Sequence, residues 1–115
     1  MRNDDTRYKI LRTIIDAKKP LSLSAIAKKM KIPSQKISYH LDFLCEDGII
    51  IRDGYTYFPQ SALVDPELRE FCAEKISEII AAFSEQDNRV AVVNGQDPED
   101  VIINLLYALV QIELP

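Results

Sequence analysis

The chain has 115 residues, 47% of them apolar and 28% charged, with three glycines and no tryptophan; this suits one ordinary domain, or a small domain with a helical arm, and excludes a disordered, collagen-like or glycine-rich chain. No apolar run reaches the roughly 18–20 residues of a membrane span, the start Met-Arg-Asn-Asp-Asp-Thr-Arg lacks the apolar stretch of a secretory signal, and two cysteines, Cys45 and Cys72, are too few for a disulfide framework, so a cytoplasmic protein with free thiols is expected. The net charge of -4 conceals an asymmetry: residues 1–60 carry eleven Lys and Arg against seven acids, a net of +4, and residues 61–115 carry three against eleven, a net of -8. One half can approach a polyanion; the other is repelled by it.

Glycines and prolines fall between periodic segments and divide the chain into six pieces. From Thr6 to about Ala17, Ile10, Leu11, Ile14 and Ile15 recur three and four apart, the pattern of an amphipathic helix, ended by Lys18, Lys19 and Pro20. A second helix runs from Ser22, its expected cap, to Met30, with Ile26, Ala27 and Met30 inward and Lys28 and Lys29 outward. A third runs from Ser34, read as another cap, to about Glu46, with Ile37, Leu41 and Leu44 on one stripe; Gly48 closes it in a left-handed conformation. Ile49–Arg52 and Tyr55–Phe58 read as strands joined by a two-residue Asp53-Gly54 turn with positive φ at both positions. Alternation puts Tyr55 and Tyr57 on one face, expected to pack on the helices. Asp65-Pro66-Glu67 announces a helix bearing Leu68, Phe71, Cys72, Ile76, Ile79, Ile80 and Phe83 to about Ser84. Residues 85–96 are a connector, with a short strand possible at Arg89–Val93 and a turn at Asn94-Gly95. Asp97-Pro98-Glu99-Asp100 repeats the start signal before a segment that is apolar on nearly every side.

Helix, helix, short turn, helix, hairpin is the order of a winged helix-turn-helix, with Lys31-Ile32-Pro33 as the tight turn and the third helix as the one that enters a major groove. The fold expected is mostly α: three helices plus a β-hairpin wing, followed by two C-terminal helices. The run from Leu21 to Met30, the segment Ser34-Gln35-Lys36-Ile37-Ser38-Tyr39-His40-Leu41 with its Ser-x-His-Leu tetrapeptide, and Leu44-Cys45-Glu46-Asp47-Gly48-Ile49-Ile50 leading into the wing together resemble the ArsR-type winged-helix regulators. The resemblance covers residues 6 to about 59 and implies a dimeric repressor or activator. Metal sensors of that type need a cluster of Cys, His or acidic ligands. With one histidine, and with neither CxxC nor HxxxH spacing, the metal-sensing property is not expected here.

By the resemblance, Ser34, Gln35, Lys36, Ser38 and Tyr39 take the exposed recognition positions; helical geometry independently turns residues 35, 36, 38, 39 and 42 outward once Ile37, Leu41 and Leu44 are buried. Gln35 suits a bidentate pair with adenine, Lys36 a guanine or phosphate. Tyr39 suits a phosphate or sugar, and Asp42 marks where contact ends. Lys28, Lys29 and Lys31 are candidates for phosphate contacts, or simply a solvated face. Arg52, the wing's only base, is a candidate for the minor groove. His40 packs the helix or touches a phosphate, with an ordinary pKa that would make such a contact mildly acid-favoured. Cys45 and Cys72 are read as apolar fillers rather than a redox pair. The acids at 65–67 and 97–100 are explained by helix starts rather than by catalysis, and no nucleophile triad, phosphate loop or cofactor motif is present.

The last two helices carry more apolar surface than a 54-residue winged helix can cover, so a homodimer through residues 65–84 and 97–113 is expected. The organisation expected is a winged helix-turn-helix DNA-binding domain over 1–60 and a helical dimerisation region over 61–115. The function expected is a sequence-specific regulator of transcription that binds double-stranded DNA as a homodimer, not an enzyme. Two rivals stand beside it: a winged-helix adaptor that binds proteins of a transcription or chromosome complex, and a small-molecule carrier using an apolar dimer cavity.

Overall fold

A computed structural model describes residues 4–83 and 97–113, in two compact units, residues 1–61 and 62–115. The expected strand at Arg89–Val93 and the turn at Asn94-Gly95 lie outside the described residues.

In the first unit, α1 (Thr6–Ala17) buries Tyr8, Ile10, Leu11, Ile14 and Ile15. It ends where Lys18 turns left-handed at φ 56°. A short strand β1 (Leu21–Ser22) leads directly into α2 (Leu23–Met30). The Ser22 hydroxyl caps α2 by accepting the Ala25 N–H at 3.1 Å, and Lys31, at φ 58°, closes it with its N–H on the Ala27 carbonyl. The next helix, α3 (Ser34–Glu46), buries Ile37, Leu41 and Leu44. Pro33, not Ser34, is its cap: Ser34 is the first helical residue and makes no side-chain capping bond. Proline's fixed φ serves the entry without a side-chain acceptor. At the other end Gly48, at φ 73°, carries a Schellman closure, with Ile49 N–H donating to Leu44 O at 3.0 Å and Gly48 N–H to Cys45 O at 3.1 Å.

The hairpin is β2 (Ile50–Asp53) and β3 (Thr56–Pro59), with Asp53 opposite Thr56 and Arg52 opposite Tyr57. The turn is therefore Gly54-Tyr55, one residue later than the sequence suggests. Only Gly54 has positive φ, at 61°, the order of a type II′ turn, in which glycine comes first. That shift corrects the tyrosines as well. Tyr57 is buried, whereas Tyr55 sits at the wing tip, 87% exposed, because alternation stops at the last ladder pair. β3 also pairs with β1, Leu21 opposite Tyr57 and Ser22 opposite Thr56, which makes a three-stranded antiparallel sheet in the order β1-β3-β2. α1 packs on α3 and β3, and α2 on α3, around a core that also holds Ile26, Ile49 and Ile50.

In the second unit, α4 (Pro66–Phe83) and α5 (Pro98–Glu113) pack on each other. Both start signals act as their chemistry requires: Asp65 Oδ1 accepts the N–H groups of Glu67 at 2.9 Å and Leu68 at 3.1 Å, and Asp97 Oδ1 accepts that of Glu99 at 3.0 Å. Cys72 and Ile76 on α4, and Ile103, Leu106 and Val110 on α5, are buried. Arg69 joins the two helix starts by pairing with Glu99 and donating to the Leu63 carbonyl at 2.8 Å. Among the described residues the chain is mostly helical: three helices and a β-hairpin wing, then two further helices. Among the described residues, no helix is long and apolar enough to cross a membrane.

Candidate nucleic-acid interface

Burying Ile37, Leu41 and Leu44 forces the opposite side of α3 outward. Ser34, Gln35, Lys36, Tyr39 and Asp42 are exposed, Tyr39 by 57%; Ser38 and His40 are half-buried. The first turn leaves α3 with N–H groups that no preceding carbonyl of the helix can accept, and this end has no side-chain cap. Donors, a flexible amide, a cation and small hydroxyls therefore share one open face, the chemistry that base edges and phosphates require.

Lys28 and Lys29 lie exposed in the last turn of α2, where cations oppose the helix dipole favourably, and Lys31 follows them, also exposed. Arg52 is exposed on β2 but turned onto its own wing: its Nε donates to the Gly54 carbonyl at 3.2 Å, and its guanidinium stands 5.9 Å from the Tyr57 ring centre. The wing tip offers Tyr55 instead, a residue that the pattern of alternation had assigned to the core.

Two further residues were missed in the sequence. Arg7 of α1 reaches α3, where its Nε donates to Nδ1 of His40 at 3.2 Å and its guanidinium lies 4.4 Å from the centre of the Phe43 ring. Tyr39 meets both His40 and Phe43 edge to face, with ring centres 5.3 and 5.0 Å apart. Arg7, Tyr39, His40 and Phe43 thus form one cation–aromatic cluster on the outer side of α3. The only sequence signal for it was the i, i+4 spacing of Tyr39 and Phe43. His40 has a pKa below its usual value, first because burial disfavours the imidazolium and then because Arg7 and Lys36 repel it. The ordinary pKa expected from sequence is corrected accordingly.

Cys45 and Cys72 are free thiols. Burial pushes both up, helped at Cys45 by Asp42 and opposed by Arg52, and opposed at Cys72 by Arg69. Both stay protonated at neutral pH, which makes them poor nucleophiles. Among the described residues, no three His, Cys, Asp or Glu side chains gather as metal ligands.

Residues 3–52 match the model of a family described as a helix-turn-helix domain. No curated protein and no solved structure matches the chain. The matched segment spans α1, α2 and α3 and ends inside the wing, on the elements that present the open face of α3. Over residues 3–52 the chain is therefore similar to an ArsR-like helix-turn-helix domain, a kind of domain that binds DNA.

Proposed function

We propose that the protein is a sequence-specific regulator of transcription that binds double-stranded DNA as a homodimer, with residues 1–60 as the DNA-binding domain and residues 61–115 as the dimerisation region. The observation that carries this reading is the exposed polar face of α3, bordered by exposed Lys28, Lys29 and Lys31. Ser34, Gln35, Lys36, Ser38, Tyr39 and His40 meet base edges and phosphates in the major groove. The three lysines of α2 and its turn hold phosphates, and Arg52 with Tyr55 lines the wing's contact.

The dimer reading is supported by a second apolar stripe on each C-terminal helix. Leu68 and Phe71 on α4, and Leu105, Leu109 and Ile112 on α5, are exposed although other residues of the same helices fill the contact between them. Covering a Leu, Ile or Phe is worth roughly 1.5–3 kcal/mol, and pairing two heads multiplies a weak single-site affinity.

The adaptor reading draws on the net charge of -4 and on an Arg52 that is spent on its own wing. A titration of genomic DNA fragments at two salt concentrations separates the two. A regulator gives an affinity that falls with Lys36→Ala and Lys28→Ala, and each lost phosphate contact lowers the salt slope by roughly 0.9. Weak binding that neither substitution changes identifies an adaptor.

A further inference from the structure

We propose that Arg7 is a positioning residue of the DNA interface: anchored on Phe43, its guanidinium fixes the His40 imidazole so that the ring's proton is on Nε2 and is offered to a backbone phosphate. The inference rests on the DNA-binding reading above and adds a role for a residue outside the recognition helix.

The chemistry leaves one arrangement. A guanidinium only donates, so the Nδ1 atom that receives Arg7 Nε–H at 3.2 Å is the unprotonated one. A neutral imidazole then carries its proton on Nε2. No side-chain nitrogen or oxygen buried among the described residues lacks a hydrogen-bond partner. Among the described residues the half-buried His40 side chain makes its hydrogen bond to Arg7 alone, so Nε2, which takes no part in it, is not sealed in the interior and is open to a further acceptor. Arg7 is held in turn by the Phe43 ring 4.4 Å away, and Tyr39 packs edge-on against the imidazole, so the donor's direction is set before DNA arrives. Burial first, and then the two cations that act on it, Arg7 from α1 and Lys36 from α3, disfavour the imidazolium and keep His40 neutral at pH 7. A phosphate docking here meets a directed neutral donor beside a permanent positive charge, and binding takes up no proton.

His40 is the only histidine, so imidazole nitrogen shifts of the full-length protein report it without overlap. The expected result is the Nε2–H tautomer, together with an affinity for a mixed-sequence duplex that stays level between about pH 7 and 8, above the ordinary imidazole pKa. Arg7→Gln should lower that affinity by about tenfold at low salt and reduce the salt slope by roughly 0.9. It should also make binding strengthen as the pH falls, because the released imidazole now protonates against the phosphate. His40→Gln, whose amide keeps a donor near the position of Nε2, should stay within about threefold of the parent, while His40→Ala loses about tenfold. An Nδ1–H tautomer, or an Arg7→Gln protein with unchanged salt and pH slopes, overturns the proposal and leaves the DNA-binding reading standing. A parent protein that binds no duplex at any salt overturns both.

Discussion

At the scale of single residues, His40 couples folding to pH. Its pKa is lower in the folded chain than the ordinary 6.5 of the unfolded one, so the fold disfavours its protonation. The associated stability is present above about pH 6.5 and is lost as the pH falls through the folded-state value. Urea midpoints measured from pH 7.5 downward should therefore drop for the parent, and less so for His40→Gln. The left-handed lysines give a second test. Lys18 at φ 56° and Lys31 at φ 58° hold a conformation that favours glycine. Lys18→Gly and Lys31→Gly should each raise stability by about 0.5–1 kcal/mol in denaturant unfolding, and only Lys31→Gly should weaken DNA binding. Arg7 and Phe43 escaped notice in the sequence because their meeting depends on α1 lying across α3, between residues 33 apart at the Arg7–His40 bond. No local spacing encodes that crossing.

At the scale of elements, α3 has two sides with separable duties. Leu41→Ala on the buried side should cost about 2–5 kcal/mol, whereas Gln35→Ala on the open side should change stability by less than about 0.5 kcal/mol and weaken binding. Thermal unfolding and a duplex titration of the two variants check this. The helix ends were legible where a side chain announces them: Ser22, Asp65 and Asp97 each accept backbone N–H groups, and Gly48 takes the positive φ that α3 needs to stop. Ser34 misled because a serine after proline looks like a cap even when the proline already sets the entry. β1 was not legible at all. Two residues show no periodicity, and their partners Thr56 and Tyr57 are far along the chain. The hairpin was legible but misplaced by one residue, since Asp53-Gly54 and Gly54-Tyr55 both supply the glycine that a tight turn requires; the ladder pair Asp53–Thr56 decides between them.

At the scale of the whole molecule, a basic head and an acidic helical region divide the work. On the proposed reading, the +4 of residues 1–60 serves to attract the duplex and the -8 of residues 61–115 to limit indiscriminate binding. Phe71→Asp and Leu109→Asp alter side chains already exposed in the single chain, by 51% and 39%. Each should leave the fold intact while shifting the sedimentation mass from twice 13.1 kDa to 13.1 kDa. A parent protein that already sediments at 13.1 kDa would sink the dimer. The most direct test of the central claim, that the polar face of α3 reads a duplex, is selection of bound fragments from a random DNA pool by the parent protein and by Gln35→Ala. The parent should enrich an inverted repeat with half-sites about one helical turn, roughly 34 Å, apart, and Gln35→Ala should lose that enrichment. A pool that emerges as random as it entered, or a motif that Gln35→Ala selects equally well, would contradict it.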